Sequence, residues 1–215
     1  MEFNDLKFGN PNRKHITSIN TNGYLDTLLD ELSSYPPLEN ESKDVLLELD
    51  TLVKYTDFLE QDEKLKKKFD LYDSDFENYM IERLINQGVE QDELISLVKE
   101  IHNDIVPLLI KLKYKYNRIR PYQLAYYRKV ELNPFKSKSS DSPSYPSGHC
   151  FQVRIYVEVI GNKYPKYYQA LQELAADIIW SRLYMGLHYP SDNEFALYAS
   201  ECVLKHPEFI KKYKL

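Results

Sequence analysis

Apolar residues recur along most of this chain at steps of three and four, and no sustained alternation of apolar and polar positions interrupts them. That period is the signature of helices with one buried face, so the chain is expected to be all-α. Leu25, Leu28, Leu29 and Leu32 predict a first helix from about Tyr24 to Ser33, stopped by Pro36-Pro37. Val45, Leu46, Leu49, Leu52, Val53 and Leu59 predict a second from about Ser42 to Glu60. Ser74 and Glu77 match a capping box, opening a helix that ends near Gly88. Leu94 through Leu112 form a long stripe in which Pro107 should kink or split the helix.

Farther on, helices are expected from about Gly148 to Ile160 and from about Lys166 to Leu187. Another should start near Ser191, where Ser191 and Glu194 again fit a capping box. Residues 1–22 lack periodicity and read as an irregular segment, with 23–215 as a single helical domain. Residues 128–148 are a long Lys-, Ser- and Pro-rich loop, more suited to a functional rim than to a linker. The run Lys64 to Lys68 lies among Asp62, Glu63 and Asp70, as on a solvated helix face. The C-terminal IKKYKL reads as a solvated tail.

A length of 215 residues with 43% hydrophobic content can bury a core without disulfide or metal staples. The net charge of −5 argues against a nucleic-acid partner. Two cysteines make no disulfide framework, and no run approaches the length of a membrane span. No signal peptide is visible, so the expected location is cytoplasmic. The oligomeric state is open, and a homodimer is compatible with the sequence.

Three segments carry the chemistry: KYKYNRIRP (Lys113 to Pro121), PSGH (Pro146 to His149) and SRLYMGLHYPSD (Ser181 to Asp192). Lys113, Arg120 and Arg182 are cations suited to phosphate oxygens, Arg as a planar fork and Lys as a point charge. Gly148 opens a helix whose free N–H groups favour an anion, and Ser147 adds a hydroxyl. Gly186 should end a helix and let His188 swing back toward Arg182. Asp192 can then accept the Nδ1–H of His188 and leave Nε2 free. Taken singly, each of these residues also fits a structural role.

Their order is K-x6-RP, PSGH, then SR-x5-H-x3-D. This resembles the type 2 phosphatidic acid phosphatase (PAP2) superfamily over about residues 113–192, and the segment G-x-HYPSD is similar to its soluble acid phosphatases. The resemblance implies a helical bundle of the PAP2/haloperoxidase type with a long loop before PSGH. It also implies a metal-independent phosphatase acting on small soluble phosphate monoesters, with diphosphates fitting as well. His188 would be the nucleophile, forming a phosphohistidine. His149 would protonate the leaving group and Asp192 would orient His188. Lys113, Arg120, Arg182, Ser147 and Gly148 would bind phosphate. No cofactor is implied, although phosphate or vanadate can occupy such a site. Competing readings are a vanadium-dependent haloperoxidase, against which the short chain counts, and a non-catalytic anion-binding module. His102 is expected to be structural or on the surface.

Overall fold

The computed structural model describes residues 2–215, and its regular structure is helical throughout, with no strand among the described residues. The helices are α1 (Arg13–Asn20), α2 (Leu29–Leu32), α3 (Lys43–Gln61), α4 (Glu63–Ile85) and α5 (Gln91–Tyr116). They continue with α6 (Pro121–Arg128), α7 (Gly148–Lys163), α8 (Tyr168–Tyr184), α9 (Pro190–Leu204) and α10 (Pro207–Tyr213). No helix is long and apolar enough to cross a membrane among the described residues.

Helix α7 is the axis of the molecule. Phe151, Val153, Ile155, Tyr156, Val159 and Ile160 bury almost its whole circumference. A helix apolar on every side must be surrounded, and α8, α9 and α5 surround this one. A second apolar cluster joins Val45, Leu49 and Leu52 of α3 to Ile119, Leu124 and Tyr189. It matters because Ile119 flanks Arg120 and Tyr189 flanks His188. Both site-bearing turns are therefore pinned by a buried neighbour.

Several expectations need correction. Residues 1–22 are not wholly irregular. Asn12 caps α1 by accepting the His15 N–H at 2.9 Å, and the buried residue of that helix is His15. A helix whose inward residue is polar leaves no apolar stripe to read. The expected helix at Tyr24 begins as a 3-10 turn over Tyr24–Leu28 and becomes α-helical only at Leu29. Pro107 does not split α5, because buried Ile105, Leu108, Leu109 and Leu112 hold the helix together across the missing N–H.

Neither capping box forms. The Ser74 hydroxyl bonds back to the Asp70 carbonyl at 3.1 Å. The break in α4 falls at Asp75 (φ −168°, ψ 68°), which caps the second half by accepting the Asn78 N–H at 3.2 Å. Helix α9 starts at Pro190 with Asp192 accepting the Tyr189 N–H at 2.9 Å. Ser191 bonds Glu48 instead, its N–H donating at 2.6 Å. IKKYKL is no free tail: α10 buries Phe209 and Tyr213, and the Tyr213 hydroxyl donates to Asp104 at 2.8 Å.

Candidate active site

Five of the eight residues singled out by the motifs line one cavity of about 320 Å³: Lys113, Arg120, Gly148, His149 and His188. Arg182, Ser147 and Asp192 are buried residues of the same region, each 1% exposed or less. A larger, open hollow of about 830 Å³ along residues 122–134 contains none of the eight.

Chain reversals bring these groups together. Asn117, in the left-handed conformation (φ 53°), ends α5 and donates its N–H to the Lys113 carbonyl at 2.8 Å. The chain then turns, and Arg120 becomes the residue before α6 rather than a continuation of α5. At the end of α8, Gly186 takes φ +65° and the Leu187 N–H donates to the Arg182 carbonyl at 3.1 Å. The Gly186 N–H donates to Leu183 at 2.9 Å, completing a Schellman turn. One turn thus fixes Arg182 on its helical side and leads directly into His188.

Lys113 and Arg120 are held by backbone oxygens, and Arg182 by a carboxylate. Lys113 Nζ donates to Pro143 O at 2.6 Å, and burial pushes its pKa well below the ordinary lysine value. Arg120 donates Nε and Nη2 to Ser142 O at 2.9 and 2.8 Å, and Nη1 to Leu187 O at 3.0 Å. The same Nη1 lies 3.0 Å from His188 Nε2. Arg182 donates Nη2 to Asp73 Oδ1 at 2.6 Å, while its Nε and Nη1 are buried without a partner.

The Nδ1 of His188 faces Asp192 Oδ2 at 3.3 Å, so Nδ1 carries the proton and Nε2 the lone pair. Burial and Arg120 lower the pKa of His188 to about 3, against the opposing pull of Asp192. Burial alone would raise the Asp192 pKa, but Arg118 and His188 hold it down at about 2. His149 packs against Phe76, ring centroids 4.9 Å apart. Burial, with Arg182 beside it, keeps His149 well below the usual histidine range. Ser147 precedes the first turn of α7, which no side chain caps, and its Oγ is buried without a partner.

Such a set of uncapped N–H groups, unpaired guanidinium donors and neutral imidazoles suits a tetrahedral anion. The family model described as PAP2 superfamily matches residues 97–206. The chain belongs to the PAP2 superfamily. Its all-helical architecture accords with that family, and membership indicates phosphatase-type chemistry in general. No curated protein matches the chain.

In this PAP2 protein two buried ion pairs escaped the sequence reading. Arg118, 3% exposed, donates to Asp192 Oδ1 at 2.6 Å and to Ser191 Oγ at 2.9 Å, and lies over the Tyr189 ring at 4.0 Å. Asp73, 1% exposed, accepts from Arg182, from Ser137 Oγ (2.8 Å), from Ser139 Oγ (2.7 Å) and from the Lys138 N–H (2.8 Å). Arg118 had a weak signal, its place between Asn117 and Arg120 in a motif. Asp73 had none, since its partners lie far away in sequence. Among the described residues no three His, Cys, Asp or Glu side chains gather as a metal site.

Proposed function

We propose that the protein is a phosphatase of small phosphate esters that works through a phosphohistidine on His188. One observation carries the reading most: Arg182 Nε, Arg182 Nη1 and Ser147 Oγ are buried polar atoms without partners, in a region that also holds an uncapped helix start and two histidines. Orphaned buried donors are costly, about 1–3 kcal/mol each, and a phosphoryl group is the acceptor whose oxygens suit them.

The proposed steps are these. His188 Nε2 attacks phosphorus, the N–P bond forms, and the P–O bond to the leaving group breaks. The leaving oxygen takes a proton from His149. Water then gives a proton back to His149 and attacks phosphorus, releasing phosphate and restoring His188. Arg120 Nη1 points at the His188 lone pair. Substrate must draw that donor onto a phosphate oxygen before attack. Arg120 is then both a guard of the nucleophile and a ligand of the transition state.

His149 is largely neutral before substrate arrives. A phosphate ester with a second pKa of about 6 brings its own proton. A monoanion beside neutral His149 has the same proton count as a dianion beside protonated His149, so binding can load the acid. The test is phosphate release from p-nitrophenyl phosphate with EDTA and vanadate controls. Turnover unaffected by EDTA and inhibited by vanadate is expected. Absence of turnover on a broad ester panel, with phosphate still bound, would favour the non-catalytic module.

A further inference from the structure

The cavity is larger than the phosphate set requires, and the residues beyond that set have a consistent character. Lys14, His15 and Ser18 of α1, His102 of α5, Gln152 of α7 and Lys138 of the loop form its rim. The fixed charges of the whole lining are Lys14, Lys113, Arg120 and Lys138 against a single carboxylate, Asp141. Lys113 and Arg120 belong to the phosphate end. That leaves Lys14 and Lys138, both exposed and neither in an ion pair among the described residues.

The rim imidazoles each present an uncommitted nitrogen. His15, 5% exposed, engages the Tyr114 hydroxyl through Nδ1 at 2.9 Å. Its Nε2 lies 3.8 Å from Asp141, beyond hydrogen-bond reach. His102 places Nδ1 on Glu77 at 3.0 Å, and Glu77 is also held by Tyr156 and Gln152 at 2.6 and 3.1 Å. The backbone N–H of Lys138 sits on Asp73, the same carboxylate that holds Arg182. One buried residue therefore sets the register between the rim lysine and the phosphate arginine. The chain has 19 Tyr, yet no Phe, Tyr or Trp lines this cavity, so no phenol, phenyl or indole face is offered to a nucleobase.

We propose that this rim is a subsite for a second phosphoryl group on the leaving group, so that the substrate is a small, non-aromatic diphosphate or bisphosphate. The proposal rests on the phosphatase reading and narrows its substrate class. Lys14 and Lys138 supply charge, and His15 and His102 supply the directional contacts. A volume of about 320 Å³ is at the small end for ligand sites, enough for two phosphoryl groups on a short spacer.

The test is calorimetric, because binding does not depend on turnover. Inorganic phosphate, pyrophosphate and propane-1,3-diol bisphosphate are titrated into the intact protein at fixed ionic strength. The last two separate a directly bonded second phosphorus from one on a carbon spacer. At least one of them should bind about tenfold or more tightly than phosphate, as charge-assisted contacts permit. The Lys14→Ala/Lys138→Ala double variant should lose that advantage while still binding phosphate. Lys64→Ala/Lys67→Ala, a like loss of exposed charge on α4, should keep it. Equal affinity for all three anions overturns the subsite, as does an advantage that survives in Lys14→Ala/Lys138→Ala or vanishes equally in Lys64→Ala/Lys67→Ala. If phosphate itself fails to bind, the phosphatase reading falls, and the subsite with it.

Discussion

Asp73 Oδ1 lies 2.6 Å from Arg182 Nη2, and both side chains are shut away from solvent. The contact places a buried carboxylate against a buried arginine of the candidate phosphate site and leaves the other two guanidinium positions open. Removing one member of such a pair strands the other charge, at about 3–5 kcal/mol. Asp73→Ala should therefore lose stability of that order in chemical denaturation. It should also free residues 137–139, whose hydroxyls and N–H converge on Asp73. Asp73→Asn, which keeps the shape, should lose less stability yet weaken phosphate binding, as Arg182 loses the charge-assisted bond that positions it. Burial opposes ionisation of Asp73, but Arg182 and the two serines hold its pKa below the ordinary value. The sign follows: this stabilisation is complete above the unfolded carboxylate pKa of about 3.9 and fades only as pH falls further.

Asp192 accepts the Tyr189 N–H and faces His188 Nδ1 through one oxygen, and takes Arg118 on the other. Asp192→Asn puts an amide nitrogen where one of those donors now points. Facing His188, it would force the proton onto Nε2 and remove the attacking lone pair. The expected loss in kcat is on the order of 10³–10⁴-fold, as for a triad imidazole in the wrong tautomer. His188→Ala should abolish turnover along with any acid-labile, base-stable phosphoenzyme. Retained phosphoenzyme in His188→Ala would show that another residue attacks.

The pH dependence follows from the two histidines. His188, with its pKa near 3, is neutral and ready at any pH above about 4. The proton for the leaving group is scarce instead, because His149 also sits low. kcat/KM should thus be highest on the acid side of neutrality and fall as pH rises and the ester loses its own proton. A steady-state profile with its maximum above pH 8 would contradict the assignment. Both histidines have folded pKa values below the unfolded one, so the stability from burying them neutral is present above about 6.5 and lost as pH falls. Arg118→Met should move the acid limb upward, since burial then raises the Asp192 pKa unopposed by its arginine. Arg118→Lys should restore part of it, a point charge reaching fewer acceptors than a fork.

The long apolar stripes of α3 and α5 were legible because each buries a face at helical spacing. The motif residues were legible because their chemistry is uncommon in that order. What escaped was set by partners distant in sequence. Arg118 and Lys115 look alike in a basic stretch, and only folding buries one against Asp192. Asp73 sits among charged residues of α4, and nothing local distinguishes it from Asp70. The capping boxes failed for a related reason. Glu77 was drawn to His102, and Ser191 to Glu48, by tertiary contacts that outweigh a cap.

Two glycines separate the site's backbone needs from its space needs. At Gly186 the backbone is left-handed, and an added Cβ would lie 2.8 Å from Thr56 Cγ2. Gly186→Ala should cost about 1–3 kcal/mol in strain. Its effect on turnover should be out of proportion to that, because the same turn sets Arg182 against His188. Gly148 is different. Its conformation is ordinary, and a Cβ would meet Leu109 and the Lys113 methylene at 3.6 Å, normal contact. Gly148→Ala should leave the denaturation midpoint nearly unchanged, while KM for a phosphate ester rises because the methyl group sits beside Lys113 in the cavity. Should Gly148→Ala unfold the protein while Gly186→Ala leaves kcat/KM intact, the turn at Gly186 would not be what aligns the two residues.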